Sequence, residues 1–102
     1  PAAHRAFLEG CPLWRRAGGY VFAHAGIRPG VPMEAQERDD LIWIREPFLS
    51  WDGAWRGPMV VHGHTQVAAP EIRAHRIGID TGAYRTGRLS VLAIEGRARW
   101  FV

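Results

Sequence analysis

Two histidine-containing segments of this sequence each follow an apolar, strand-like run. The first run, Tyr20–Ala23, leads into His24-Ala25-Gly26, and the second, Met59–Val61, leads into His62-Gly63-His64. Runs of β-branched and aromatic residues that end in histidine and small residues are typical of buried strands that place a side chain at their carboxyl end. Imidazole binds transition metals, and glycine allows a ligand or backbone to approach closely. The two strand ends can converge on one metal, although two ligands do not complete a site.

The elements that would position these histidines follow from the same reading of the sequence. A short amphipathic helix is expected over 3–9, and a second one is expected through 41–43, capped by Asp39 or Asp40. Strands are expected over 19–25, 58–62 and 76–80, with a C-terminal hairpin of 88–94 and 97–102 that turns at Glu95-Gly96. This pattern indicates an α+β or mixed α/β fold.

Length and composition restrict the class of protein. The 102 residues suit one small domain or part of one, and 47% hydrophobic with 23% charged residues is typical of a globular chain rather than a disordered one. No apolar run approaches the roughly 18 residues of a membrane span, so no membrane partner is expected. Cys11 is the only cysteine, which excludes a disulfide framework and favours a reducing, cytoplasmic location.

Every one of the 13 basic residues is an arginine. Arginine suits phosphate because its planar fork donates two parallel hydrogen bonds. The arginines are scattered through the sequence without a dense basic run, so a nucleic-acid partner is not expected. Because the chain begins with Pro1 rather than Met, we expect it to be a processed piece or a fragment.

Four motifs occur in one order along the chain: Phe22–Gly30, Leu41–Glu46, Val61–Thr65 and Ile79–Ala83. Together they resemble the C-terminal half of bacterial serine/threonine protein phosphatases of the phosphoprotein phosphatase family, within the calcineurin-like metallophosphoesterases. The resemblance covers nearly the whole chain, so residues 1–102 would be the C-terminal part of a single domain. It implies a β-sandwich flanked by helices, with a dinuclear metal site at the strand ends.

The family's N-terminal motifs, Asp-x-His, Gly-Asp-x-x-Asp-Arg and Asn-His, are absent from this sequence. Those motifs supply most metal ligands and the histidine that acts as general acid. The resemblance therefore implies a missing N-terminal half as partner. No catalytic residue is assigned in this chain, and we expect it to have little or no phosphatase activity alone.

The resemblance assigns direct roles to three residues. His24 and His64 match two ligands of the same metal, and Arg45 matches an arginine that holds the substrate phosphate. We expect the two imidazoles to lie close together, with Arg45 facing the same cavity. The alternatives are core histidines satisfied by backbone carbonyls, and an exposed salt bridge from Arg45 to Glu46 or Asp40.

Four further residues are candidates for the surroundings of the site. His62 would orient His64 or a water, or else be an ordinary packed or exposed histidine. Arg28 would contact substrate, or else lie solvated on a turn. Asp80 is expected to bond backbone or a ligand histidine rather than a metal. Tyr84 would lie over the mouth of the site, or else pack on a neighbour.

Other histidines and tryptophans have no motif support for a role at the site. His4 and His75 are expected on the surface, and Trp43 and Trp100 are expected to pack in the core or between layers. The loop over 51–55 carries two more tryptophans, which the sequence leaves open between packing and lining a substrate groove.

The chemistry that the resemblance implies is metal-assisted hydrolysis of a phosphoester, with a phosphoprotein as the expected substrate. Two divalent ions, manganese first and iron or zinc as alternatives, would activate a water that attacks phosphorus without a phospho-enzyme. Two other readings stay open. One is a fragment of a dinucleoside polyphosphate hydrolase, and the other is a non-enzymatic binding module that retains part of the site.

Overall fold

Two β-sheets and three short α-helices form a mixed α/β fold in a computed structural model, which describes residues 1–102. The elements in chain order are α1 (Ala2–Glu9), β1 (Trp14–Ala17), β2 (Tyr20–Ala23), a 3₁₀ turn (Met33–Ala35), α2 (Arg38–Trp43), β3 (Met59–His62), β4 (Glu71–Ile72), β5 (Arg76–Gly78), α3 (Ala83–Thr86), β6 (Leu92–Glu95) and β7 (Ala98–Phe101). This agrees with the fold class expected from the sequence. No helix is long and apolar enough to cross a membrane.

The larger sheet has five strands in the order β1-β2-β3-β5-β4, and β6 pairs with β7 in a separate hairpin. The three central strands β2, β3 and β5 are parallel, with Val21 opposite Val60 and Val61 opposite Ile77. Parallel strands end at the same edge of a sheet. The residues that follow these three strands, and hence both histidine motifs, therefore lie at one edge.

One face of this sheet carries the main hydrophobic core. Val21 and Val60 pack there with Leu41 of α2 and with Phe48, and all four are fully or almost fully buried. The chain after β2 passes directly over the Phe48 ring at Gly26, where an added Cβ would lie 2.3 Å from a ring carbon. Gly26 also has a φ of 141°, so glycine is required at this crossing.

The opposite face of the sheet is only partly covered. Phe22 and Val61 line a cavity of about 850 Å³, together with residues at the end of α1 and just after it. Helix α1 has no buried residue, and Phe7 is 72% exposed. Hairpin β6–β7 reaches β2 through a hydrogen bond from Arg99 Nη1 to the Tyr20 hydroxyl, at 3.2 Å. Accessible apolar surface remains on this face.

Several element boundaries differ from the sequence-based expectation. Strand β5 ends at Gly78 instead of residue 80, and α2 begins at Arg38 with Glu37 as its N-cap, ahead of the two predicted aspartate caps. Strand β6 begins only at Leu92. Arg88 lies outside the hairpin ladder because its backbone bonds to the Thr81 and Thr86 side chains instead.

Candidate metal and phosphate site

The histidine pair predicted from the sequence comes together at the carboxyl edge of the parallel strands. The His24 and His64 rings have centroids 5.2 Å apart and are tilted by 58°. The Gly63 N–H donates to the His24 carbonyl oxygen at 2.7 Å, which ties the two strand ends together. A Cβ on Gly63 would lie 3.6 Å from that oxygen and 3.6 Å from the Cβ of Asp80. Three strand ends therefore meet around Gly63.

A tight turn directs the His64 side chain. His64 has a φ of 68°, and it is the only residue other than glycine with a positive φ. The Thr65 N–H donates to the Gly63 carbonyl oxygen at 2.8 Å, which closes a γ-turn centred on His64. Turns of this hand are rare and strained, and such strain is concentrated at functional sites. The turn takes His64 out of the direction of β3 and towards His24.

The His64 ring is chemically unusual. Its Nε2 is buried and has no hydrogen-bond partner. Burial lowers the pKa of His64 from 6.5, and the charges of Arg45 and His24 lower it further, while the Trp43 backbone and Asp80 oppose the shift. The ring is therefore neutral at physiological pH, which is the protonation state that ligates a metal. A buried nitrogen without a partner is uncommon and fits a ligand position.

Arg45 lies just beyond α2 and is exposed. Neither of the ion pairs considered for it forms. Asp40 binds Arg28, and Glu46 Oε1 accepts a hydrogen bond from the Ser50 backbone N–H at 2.8 Å. Arg45 was expected to face the same cavity as the histidines, but it does not line the 850 Å³ cavity that His24 lines. Its positive charge nevertheless lowers the pKa of His64. Its guanidinium is free to bind an anion beside the histidine pair.

Arg28 is engaged within the protein. Its Nε and Nη2 donate to the two carboxylate oxygens of Asp40 at 3.1 and 2.8 Å. The hydrogen bonds and charge of Arg28 lower the pKa of Asp40. The side chain of Gln36 bonds the Arg28 N–H and carbonyl oxygen. These contacts fasten the loop after His24 to α2, which gives Arg28 a structural role.

His62 faces the core, away from His64. Arg76 Nη1 lies 3.1 Å from His62 Nε2, and His62 Nδ1 lies 3.0 Å from the Gly63 carbonyl oxygen. Since arginine only donates, the His62 proton is on Nδ1. Burial lowers the pKa of His62. Both ring nitrogens are used in this network, so His62 does not orient His64.

His75 is not on the surface, and that prediction is wrong. His75 is only 3% exposed, and its Nε2 lies 2.7 Å from the Phe48 carbonyl oxygen. The ring also packs edge-on against Phe48 and beside Trp55. A buried carbonyl requires a donor, and His75 supplies it. His4, in contrast, is exposed on α1 as expected.

Asp80 and Tyr84 take different positions at the edge of the site. Asp80 Oδ1 accepts a hydrogen bond from the Gly82 N–H at 3.0 Å, and Asp80 lines the 850 Å³ cavity with His24. Tyr84 is 85% exposed, and its hydroxyl accepts a hydrogen bond from Gln66 Nε2 at 3.2 Å. Asp80 thus accepts a hydrogen bond from the backbone, and the Tyr84 side chain is exposed to solvent beside the loop after His64.

Trp43 is a site residue that the sequence reading missed. Its ring meets His64 edge-on with centroids 5.8 Å apart, and the residue is 66% exposed. Trp43 and Trp100 were expected to pack in the core or between layers. The core alternative is wrong for both, since Trp100 is also 47% exposed. The sequence feature that could have identified Trp43 as a site residue is its position two residues before Arg45. Trp55 packs against the core instead.

The site brings the imidazoles of His24 and His64 together. No group of three or more His, Cys, Asp or Glu side chains converges to hold a metal ion. No family model matches this chain, and no curated protein matches it. The arrangement itself therefore carries the functional inference: two neighbouring imidazoles, one with an unpartnered nitrogen, beside an unpaired arginine.

Proposed function

We propose that this chain forms part of the metal- and phosphate-binding site of a metal-dependent phosphoesterase that acts on phosphoserine or phosphothreonine in proteins. The observation that carries the proposal is the pairing of His24 and His64 beside the unpaired Arg45. The order of the four motifs supports it. The proposed location is the cytoplasm.

The residues present fit one edge of such a site. His24 and the unpartnered His64 would hold one divalent ion, which supplies positive charge that stabilises the phosphoryl oxygens during hydrolysis. Arg45 would bind two phosphoryl oxygens through its planar fork and hold the phosphorus in line for displacement. Trp43 would restrict the motion of the His64 ring. Imidazole ligands suit manganese, iron and zinc, and we propose manganese first.

The remaining ligands and the second ion would be held by a segment that resembles the N-terminal half of the family's domain. The partly uncovered sheet face beside Phe22 and Val61 supports an additional layer, as in a β-sandwich. In this proposal the 102 residues bind metal and phosphate weakly and do not turn over substrate by themselves.

The proposal is tested by coupling between manganese and phosphate. Inorganic phosphate is titrated into the chain with and without Mn²⁺, and binding is measured by calorimetry. A shared site predicts that Mn²⁺ raises the phosphate affinity by at least about fivefold, the lower end of typical coupling. His64→Ala should abolish the coupling, and Arg45→Gln should weaken phosphate binding.

Arg97→Gln is the matched control, because Arg97 is exposed in the hairpin turn and has no ion-pair partner. Arg97→Gln should leave the phosphate affinity unchanged both with and without Mn²⁺. Phosphate affinity that is independent of Mn²⁺, or equal losses in Arg45→Gln and Arg97→Gln, would contradict the proposal.

A further inference from the structure

A second, polar cavity of about 400 Å³ lies beyond the histidine pair. Its walls are the segment after His64 and the segment after Asp80. Its polar lining residues are Gln66, Thr81, Arg85, Thr86 and Arg88, and no carboxylate lines it. Two positive charges therefore face one small polar space.

Neither arginine of this cavity has an acidic partner. Arg85 Nη2 donates to Gln66 Oε1 at 3.0 Å, and Arg88 Nη1 donates to the Ala68 carbonyl oxygen at 3.2 Å. Both acceptors are neutral, and every ion pair of the molecule involves other arginines. A guanidinium has five N–H donors, so each retains most of its donors for an anion.

Side-chain hydrogen bonds hold the cavity walls in place. The single Thr86 hydroxyl proton is shared between the Thr81 and Gly82 carbonyl oxygens, at 2.8 and 3.0 Å from Oγ1, and Oγ1 accepts from the Arg88 N–H at 3.1 Å. Thr81 Oγ1 donates to the Arg88 carbonyl oxygen at 2.8 Å. The Arg85 N–H also donates to the Gly82 carbonyl oxygen at 2.8 Å. Because these contacts hold the backbone of both arginines, a ligand would have to order only their side chains.

The cavity adjoins the candidate metal and phosphate site through shared backbone. The Val67 N–H donates to the Asp80 carbonyl oxygen at 2.9 Å, which joins the two walls. Gln66 follows two residues after His64, and Asp80 directly precedes the wall residue Thr81. The cavity therefore lies next to the histidine site along both chain segments.

We propose that the Arg85–Arg88 cavity binds a second anionic group of the substrate, a phosphate or carboxylate next to the phosphoryl group that Arg45 holds. The link to a substrate rests on the proposed function, but the cavity's anion affinity does not require a metal. Paired guanidinium forks match the oxygens of both anions. The substrate class is thus a phosphoester with a further negative charge nearby.

The experiment titrates inorganic pyrophosphate into the ¹⁵N-labelled chain in EDTA and follows backbone amides and arginine side chains by NMR. We expect shifts at Gln66, Arg85, Thr86 and Arg88. The double variant Arg85→Gln/Arg88→Gln should lose about tenfold or more in affinity, as expected for charge-assisted hydrogen bonds. Spectra that are unchanged elsewhere will show that the variant is folded, as expected for two exposed side chains.

Arg97→Gln and His64→Ala are the controls, and both should retain pyrophosphate binding in the cavity. If His64→Ala still binds pyrophosphate in the cavity, this inference is separated from the metal proposal. The cavity then binds an anion even in a variant that has lost the coupling to Mn²⁺. Shifts confined to the surroundings of Arg45, or an equal loss in Arg97→Gln, would overturn the inference.

Two further probes distinguish the source of the anion. Tripolyphosphate represents a second phosphate, and a short peptide with two glutamates represents neighbouring carboxylates. Cavity shifts with tripolyphosphate alone assign the cavity to phosphate, and shifts with the peptide alone assign it to carboxylate. Absence of cavity shifts with both probes would overturn the inference.

Discussion

His24 and His64 follow different strands, yet their ring centroids lie 5.2 Å apart. The parallel pairing of β2 with β3 brings the two strand ends to one edge, and the Gly63 N–H to His24 carbonyl bond closes the gap. The γ-turn at His64 then directs its ring towards His24. A local strained turn and a sheet register together produce the pair.

The isolated chain should show almost no phosphatase activity. A catalytic metal is held by about three protein ligands, and this chain brings two histidines together. Hydrolysis of para-nitrophenyl phosphate with Mn²⁺ should therefore equal that of His64→Ala. Robust metal-dependent turnover that disappears in His64→Ala would show that the chain builds a working site without further ligands.

Gly26→Ala should destabilise the protein by about 3 kcal/mol, because the new methyl group overlaps the Phe48 ring and overpacks the core. Gly30→Ala is the matched control. Gly30 also has a positive φ, 80°, but nothing lies within 4 Å of an added Cβ. Backbone strain alone should cost about 1 kcal/mol there. Urea unfolding measures the free energy of unfolding of both variants. Equal losses in Gly26→Ala and Gly30→Ala would show that Gly26 does not lie against Phe48.

Arg76→Leu should destabilise the protein by about 3 kcal/mol. The change removes the donor to the half-buried Leu49 carbonyl oxygen and the partner of the buried His62. It also removes the ion pair of Arg76 Nη2 with Glu71 Oε1 at 3.0 Å. Arg73→Leu tests the same carboxylate, Glu71, from the surface, where a pair at 3.7 Å contributes about 0.5 kcal/mol or less. Comparable losses in the two variants would refute a structural role for the buried network.

The Arg28–Asp40 pair predicts a defined pH dependence. The pKa of Asp40 is lowered below 3.8 mainly by hydrogen bonds from Arg28, so Asp40 binds its proton less readily when folded. The pair therefore stabilises the fold above pH 3.8, and this stability is lost as the pH falls through the lowered pKa. Arg28→Gln should raise the Asp40 pKa in a carboxyl NMR titration.

Unfolding midpoints supply the second readout. The difference in stability between the unmodified chain and Arg28→Gln should be largest at neutral pH and should shrink below pH 3.8. If the difference in stability between the unmodified chain and Arg28→Gln grew as the pH fell, its sign would be opposite to the prediction. The Arg28–Asp40 pair would then be excluded as the cause of the pH dependence.

The sequence predicts those parts of the fold whose hydrophobic period is clear. Strands β2 and β3 are apolar and central, and helices α1 and α2 and the C-terminal hairpin were also expected. The edge strand β1, Trp14–Ala17, is mostly exposed and carries two arginines, so it lacks a strand pattern. The two-residue β4 and the single turn α3 are too short to show any period.

At the site, the sequence predicts which residues approach each other but not their surroundings. The positions of His24 and His64 follow from two strand ends. The burial of His75 depends on a distant carbonyl, that of Phe48, and the exposure of Trp43 depends on how α2 packs. Contacts between residues far apart in sequence decide both, and a local pattern carries no information on them.

Paramagnetic broadening by Mn²⁺ tests most directly the claim that His24 and His64 share a metal. NMR spectra of the ¹⁵N-labelled chain are recorded with substoichiometric Mn²⁺, with His64→Ala as the test variant and His4→Ala, on exposed α1, as the control. The account predicts broadening centred on Ala25, Gly63 and Thr65 that His64→Ala removes and His4→Ala retains. Broadening centred on the acidic segment 34–40, or unchanged by His64→Ala, would contradict it.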